Sequence, residues 1–248
     1  MARLARVVVH GIPHHVTQRG NRRQPIFFEA GDEAVYCALL GQECRRRGVE
    51  VWAYCLMPNH VHLILTPADE RGLALAVGEA HRRYTGFINA RAGWTGHLFQ
   101  SRFASVPMDE DHLAAAARYV ALNPVRARLV QRARDWAWSS TRAHIAGADD
   151  VLVTVRPLLE RFGDFAALVA EGEDVAGSQA IRAAETTGRP LGSAAFVERL
   201  ERVLGRKLVP GRPGRKPRPQ EAGPQAALWE MGIMSPQYGR PARPISRP

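Results

Sequence analysis

Runs rich in β-forming apolar residues alternate with longer stretches of helical character along the first half of the chain. Residues 6–19, RVVVHGIPHHVTQR, are β-rich and give way to a turn at Gly20-Asn21. Residues 32–47 fit a helix, with Asp32 near its start and Gly48 just behind it. VEVWAYCLM (49–57) and HVHLILTP (60–67) read as two strands joined by a turn at Pro58-Asn59. Residues 71–91 form a second helix and residues 97–108 a fourth strand. Asp109 then caps a helix that must stop near Asn123, because Pro124 disfavours helical backbone at the residue before it. The order β-α-β-β-α-β plus a helix predicts an α+β, ferredoxin-like fold, with a mainly antiparallel sheet and helices on one face.

Residues 124–147 continue this domain with short helices and the WAWSS cluster, whose Trp136 and Trp138 read as packing anchors. The character changes beyond residue 150, which places a first domain at 1–150. A helical extension at 151–209 holds two helical stretches, 156–172 and 193–208. From Pro210 the chain is rich in Pro, Gly and Arg, so residues 210–248 read as a basic, disordered tail.

Composition adds a direction. The chain has 248 residues, 46% of them hydrophobic, enough for a core, and a formal net charge of +10 that suits a nucleic-acid partner. Arginine dominates the cations, and a GC-rich genome would do the same, so charge does not decide the matter alone. Cys37, Cys44 and Cys55 form no CxxC pattern and read as reduced packing residues. The first residues lack a signal-peptide core, and no run reaches the ~18 apolar residues of a membrane helix. The expectation is a cytoplasmic protein without a membrane partner.

Candidate chemistry sits in NHVHLIL. His60 and His62 are two apart on a strand and share a face. Paired neutral imidazoles suit a metal, although a polar solvent face gives the same pattern. In AAAARYVALNP, Tyr119 and Asn123 are four apart and share a helical face. Asn123 offers an oxygen ligand to the same metal, with Tyr119 one turn away beside a bound phosphate. Phosphodiester cleavage needs a nucleophile, charge neutralisation at phosphorus and in-line geometry, and this set supplies each. Mixed N/O ligation with phosphate oxygens suits Mg²⁺ or Mn²⁺, with zinc competing for the histidines. A zinc hydrolase is the other enzyme class, but no HxHxD follows His62. A DNA-binding module without catalysis is a third reading.

MPNHVHLIL together with ARYVALNPVRARLV resembles the REP-associated tyrosine transposases, single-tyrosine members of the HUH (His-hydrophobe-His) superfamily. HHVTQRGNRRQPIF, HLFQSRFASVPM and GRPLGSAAFVERLERVLGRKL extend the resemblance over most of residues 6–208. It implies a single-stranded DNA endonuclease and strand transferase acting on a hairpin-forming repeat. It further implies Tyr119 as the nucleophile of a 5′-phosphotyrosine link, His60 and His62 as the HUH metal pair, and Asn123 as third ligand. Related enzymes often have Gln at the place of Asn123. Candidate DNA contacts are His14, His15, Gln18, Arg19, Asn21, Arg22 and Arg23; His14 and His15 point to opposite strand faces, so one alone faces the site. In the tail, PGRPGRKPRP (210–219) resembles a degenerate AT-hook, with Arg212, Arg215 and Lys216 as DNA contacts, or acts as a nonspecific basic arm. Monomer and homodimer both stay open.

Overall fold

The computed structural model describes residues 6–209, which lie within one compact unit. The tail contacts Arg212, Arg215 and Lys216 lie outside the described residues. The chain runs through β1 (His14–Arg19), α1 (Asp32–Arg46), β2 (Val49–Met57), β3 (His60–Pro67), α2 (Gly72–Ala92), β4 (Ala104–Pro107) and α3 (Glu110–Ala121). Sheet order is β2-β3-β1-β4, and every pair is antiparallel. Helix α1 carries the chain from β1 past β3 to β2, and α2 carries it from β3 past β1 to β4. Each crossover therefore leaves one strand inserted between the two it joins, which is the ferredoxin-like arrangement the sequence predicts.

Alternation divides the sheet between two cores. Val16, Val61, Leu63, Leu65, Tyr54 and Leu56 face α1 and α2. Ile64, Cys55, Met57 and Val106 point the other way, toward α3. A bulge between Val51 and Ala53 puts Trp52 and Ala53 together on this second side. Helices thus cover both faces, where the sequence reading expected one. The second cover comes largely from α3 and from the C-terminal extension. After α3 come α4 (Asn123–Arg126) and α5 (Thr141–Ala146), and the extension adds α6 (Arg156–Phe162), α7 (Phe165–Ala170), α8 (Val175–Thr187) and α9 (Ala194–Leu204). Leu158, Phe165, Leu168, Ile181 and Ala184 bury themselves against α3 and this face of the sheet.

Several boundaries move for identifiable reasons. Val7 and Val9 pack with Phe196 and Leu200 of α9 instead of extending β1. Strand β4 is confined to four residues because Ser101 takes a left-handed backbone (φ 53°) and kinks the chain before it. The Gln18 amide holds that kink by donating to the carbonyls of Arg19 (3.2 Å) and Gln100 (3.1 Å). Helix α3 stops at Ala121 and α4 restarts at Asn123, since Pro124 has no N–H to continue the ladder. Helix α8 lies in a stretch the sequence reading left between two helices. The WAWSS segment runs along the outer edge of β2: Leu56 N–H donates to Trp138 O (2.8 Å) and Trp136 Nε1 to Leu56 O (3.0 Å). That pairing fits the anchoring role and covers a sheet edge.

Asp109 joins the two halves of the chain. Its Oδ1 caps α3 by accepting from His112 N–H (3.1 Å), while its Oδ2 accepts from Ser193 N–H (2.8 Å) and its own N–H donates to Leu191 O (3.0 Å). At Gly192 a Cβ would lie 2.2 Å from Phe196 Cδ1 and 2.8 Å from Asp109 Oδ2, so only glycine allows this close approach. Among the described residues no helix is long and apolar enough to cross a membrane.

Asp32 holds α1 to α2. Its buried carboxylate takes a bidentate pair from Arg91 (2.6 and 2.9 Å) and accepts from the N–H groups of Phe28 and Glu29. The Arg91 guanidinium holds the carboxyl down at about 2, below its ordinary 3.8. Its contribution to stability is therefore complete above pH 3.8 and lost as pH falls toward 2. Asp32→Ala should cost about 2–3 kcal/mol in urea unfolding at neutral pH, and the gap to wild type should shrink on acidification through that window.

Candidate active site

Strand β3 sets out the site. His60 and His62 share the α3-facing side, with ring centres 4.9 Å apart at an interplanar angle of 81°. Antiparallel register pairs His62 with Thr17 and His60 with Arg19, so His15, Thr17 and Arg19 of β1 project onto the same face. His15 takes the site face and His14 the opposite one. Both are buried, at 1% and 0% exposure. The ring nitrogens of His14 are occupied by main chain: Nδ1 lies 2.7 Å from Ile12 O, and Nε2 accepts from Val9 N–H at 3.3 Å.

His15 Nε2 lies 3.0 Å from His62 Nδ1. The two rings are parallel within 3° with centres 5.2 Å apart, so the nitrogens meet edge to edge in a hydrogen bond and the ring faces do not stack. His15 Nδ1 lies 3.5 Å from Glu185 Oε1 on α8, and His62 Nδ1 lies 3.8 Å from the same oxygen. Ligand atoms of His15, His62 and Glu185 all fall within 4.8 Å of one another, a spacing a metal ion can bridge. His60 Nδ1 is tied to Asn59 Oδ1 at 2.6 Å. Burial pushes the His15 imidazolium down to about 3 and that of His60 to about 4, and holds that of His62 well below its ordinary 6.5. Neighbouring arginine charge acts in the same direction. All three rings are therefore neutral at physiological pH, the state a metal requires. Burial raises the Glu185 carboxyl to about 7 against the opposing pull of Arg19, Arg182 and Arg126.

Tyr119 projects from α3 into this group from within the same chain. Its ring meets His62 edge-on at 5.4 Å and His15 at 5.8 Å. The Arg126 guanidinium lies 3.8 Å from the ring centre, and that of Arg182 of α8 lies 5.9 Å from it. Asn123 opens α4 one turn further on; it is buried, and its Nδ2 has no hydrogen-bond partner. A cleft of ≈ 330 Å³ opens beside these groups, lined by Arg19, His60, His62, Ser101, Arg102 and Glu185 among others.

The basic loop after β1 is shaped by one glycine. A Cβ at Gly20 would sit 2.2 Å from Gln24 O, so only glycine lets the chain fold back this tightly. Asn21, Arg22 and Arg23 project from the turn into solvent. Arg22 (φ 52°) and Arg23 (φ 62°) both hold left-handed backbone, at a cost of about 1–2 kcal/mol each.

The structure thus gathers His15, His60, His62 and Tyr119 and adds three groups that the sequence reading did not name: Glu185, Arg126 and Arg182. Arg126 lies just past a named residue. Glu185 and Arg182 sit on the unforeseen helix α8, whose only advance signals were the Asp174 cap and the helical spacing of Ile181 and Ala184.

Comparison with known proteins fits this geometry. The family model described as "Transposase IS200 like" matches residues 8–123. A protein of Haemophilus influenzae named "Putative REP-associated tyrosine transposase" is 26% identical over 110 residues, covering 40% of this chain and 62% of that protein. The chain therefore matches less than two thirds of that relative's length. A solved structure of a REP-associated tyrosine transposase bound to a REP hairpin has a similar fold, with a TM-score of 0.51 at 20% identity, over 62% of this chain and 92% of that one. Residues 8–123, spanning the four-stranded sheet, His60, His62 and Tyr119, match the model of the IS200-like transposase family, and the chain's resemblance to the REP-associated tyrosine transposases holds.

Proposed function

We propose that this protein is a divalent-metal-dependent DNA strand transferase that cuts and rejoins single-stranded DNA at a hairpin-forming repeat. The observation that carries the reading is Tyr119, held edge-on against His62 with the Arg126 guanidinium over its ring and that of Arg182 5.9 Å from the ring centre. The hairpin substrate is suggested by the REP hairpin in the related structure, and the family match supports DNA cleavage.

The chain's own groups divide the work. Tyr119 Oη attacks the scissile phosphorus while the bond from phosphorus to the 3′ oxygen breaks. The phenol proton passes to water, the departing 3′ oxygen takes one up, and the 5′ phosphate stays on the tyrosine. Reversal by a second 3′-hydroxyl rejoins the strand without an external energy source. Arg126 and Arg182 place positive charge where the phosphate must lie. His60, His62 and Asn123 would hold Mg²⁺ or Mn²⁺. The fit is supported by the neutral, buried imidazoles; Asn123, buried on the turn that follows Tyr119, would offer its Oδ1. The ion would supply Lewis-acid polarisation of the phosphate and charge neutralisation. Arg19, Asn21, Arg22 and Arg23 would bind the sugar-phosphate backbone of the DNA.

With Mn²⁺ and a hairpin oligonucleotide carrying a single-stranded flank, wild-type protein should form a covalent adduct resolved on a denaturing gel. Tyr119→Phe should abolish the adduct while leaving DNA binding within about twofold, because the substitution removes only the hydroxyl. His60→Ala and His62→Ala should lose cleavage through lost metal. Cleavage without any adduct would indicate a metal-dependent hydrolase. Hairpin binding with neither cleavage nor adduct would indicate a DNA-binding protein without catalysis.

The tail generates a separate expectation. Removing residues 210–248 should leave adduct formation intact and weaken DNA binding mostly at low salt. The slope of log affinity against log salt should fall by about one for each phosphate that the tail neutralises. An unchanged slope after truncation would mean that Arg212, Arg215 and Lys216 neutralise none.

A further inference from the structure

We propose that the groove beside the basic turn, walled by Trp94 and Phe28, is a stacking site for unpaired bases of the DNA strand that enters the cleft. The proposal rests on the DNA reading above and adds a second place where the strand is held.

Exposed aromatic surface singles out this place. Trp94 is 50% exposed and Phe28 41%, and their rings meet edge-on with centres 5.3 Å apart. Two large rings left open side by side forgo burial that would stabilise the fold. The backbone beneath them is well tied. Gly93, in left-handed conformation (φ 66°), ends α2 just before Trp94. Trp94 N–H donates to Asn89 O (2.9 Å), Asn89 Nδ2 donates to Gly96 O (3.0 Å), and Asn21 N–H donates to Leu98 O (2.8 Å). On the other wall, Phe28 N–H donates to the buried Asp32 carboxylate (2.8 Å). Fixed backbone carries both rings, so a ligand has little left to order.

The chemistry of the walls names the occupant. The groove encloses ≈ 630 Å³, and its lining includes Asn21, Arg22, Asn89 and His97 but no acidic residue. Aromatic faces suit a planar base, and Arg22 supplies charge for its phosphate. In a duplex the base faces already stack on one another, so only an unpaired base can use these rings. The groove also adjoins the cleft. Asn21 pairs with Leu98 and Arg19 with Gln100, on either side of a bridge between Gly20 and Phe99. Arg19 and Gln100 line the cleft, while Asn21 and Leu98 line the groove. A strand with its phosphate in the cleft therefore reaches the groove within a few nucleotides. Arg19 and Arg102 on the cleft and Arg22 on the groove keep that path cationic.

The test uses full-length protein and a fluorescently labelled hairpin with a single-stranded flank, followed by anisotropy. Trp94→Ala should weaken binding roughly 5- to 50-fold, and Trp94→Phe should recover most of it, because stacking needs an aromatic face. The salt slope should not change in Trp94→Ala, which loses no phosphate contact, whereas Arg22→Ala should lower it by about one. A flank of abasic nucleotides keeps the phosphates and removes the bases, and on it wild type and Trp94→Ala should bind alike. Iodouracil placed in the flank should crosslink on irradiation to Trp94 or Phe28 of the wild type. That crosslink decides the matter if thermal melting shows Trp94→Ala to be misfolded, and crosslinking only elsewhere would overturn the proposal. So would an unchanged affinity in folded Trp94→Ala, or an equal loss on the abasic flank. A dimer that Trp94→Ala dissociates in sedimentation without loss of DNA affinity would mean that a second copy covers the patch. Adduct formation at Tyr119 with no effect of Trp94 would sink the stacking site alone. A wild type with neither DNA binding nor adduct would sink the strand-transferase reading with it.

Discussion

The register between β1 and β3 is the constraint on which the rest depends. Thr17 pairs with His62 and Arg19 with His60, so His15, His60 and His62 emerge on one face beneath α3. Strand side chains repeat every two residues, and a slip of one would send all of them into the α1–α2 core. That core opposes the slip strongly. Val16, Val61, Leu63 and Leu65 are each fully buried on the other face, and the same slip would expose them to the site. The apolar half of these two strands thereby fixes the position of the polar half.

A site buried this deeply needs cover that is itself polar where it meets the histidines. Helix α3 provides a close-packed approach with Ala116 and Ala117, and then Tyr119 at the point where it reaches the imidazoles. Helix α8 packs its apolar Ile181 and Ala184 against the same core and presents Arg182 and Glu185 to the site. Two helices from distant parts of the sequence thus close one polar pocket, and Asp109 ties their halves of the chain together at the start of α3. The charge balance follows from this arrangement. Arg19, Arg126 and Arg182 surround neutral imidazoles and a half-buried carboxylate, leaving a net positive pocket suited to a phosphate.

The open cleft beside the pocket comes from irregular backbone. The Ser101 kink ends β4 early, and the Gln18 amide donates to the Arg19 and Gln100 carbonyls beside it. The tight turn at Gly20 sets the basic loop at the same end of β1. Strand ends are where a sheet can leave a gap without exposing its core, and here both irregularities occur at one end of the central strand.

Sequence alone determined the parts of this protein governed by local rules. Strand and helix order through Ala121, the Asp109 cap, the stop before Pro124 and the shared face of His60 and His62 follow from periodicity, capping and proline chemistry, each acting over a few residues. Which of His14 and His15 meets His62 needed the pairing register, a relation between strands some 45 residues apart. Tertiary structure decided the cover of the second face and the place of Glu185. Helix α8 has an alanine-rich apolar side with few large side chains, so its pattern is weak until α3 supplies the surface it fits. Glu185 carries no signature of its own. Its position beside His15 comes from long-range packing, which brings residue 185 to residue 15 without any short-range pattern to announce it.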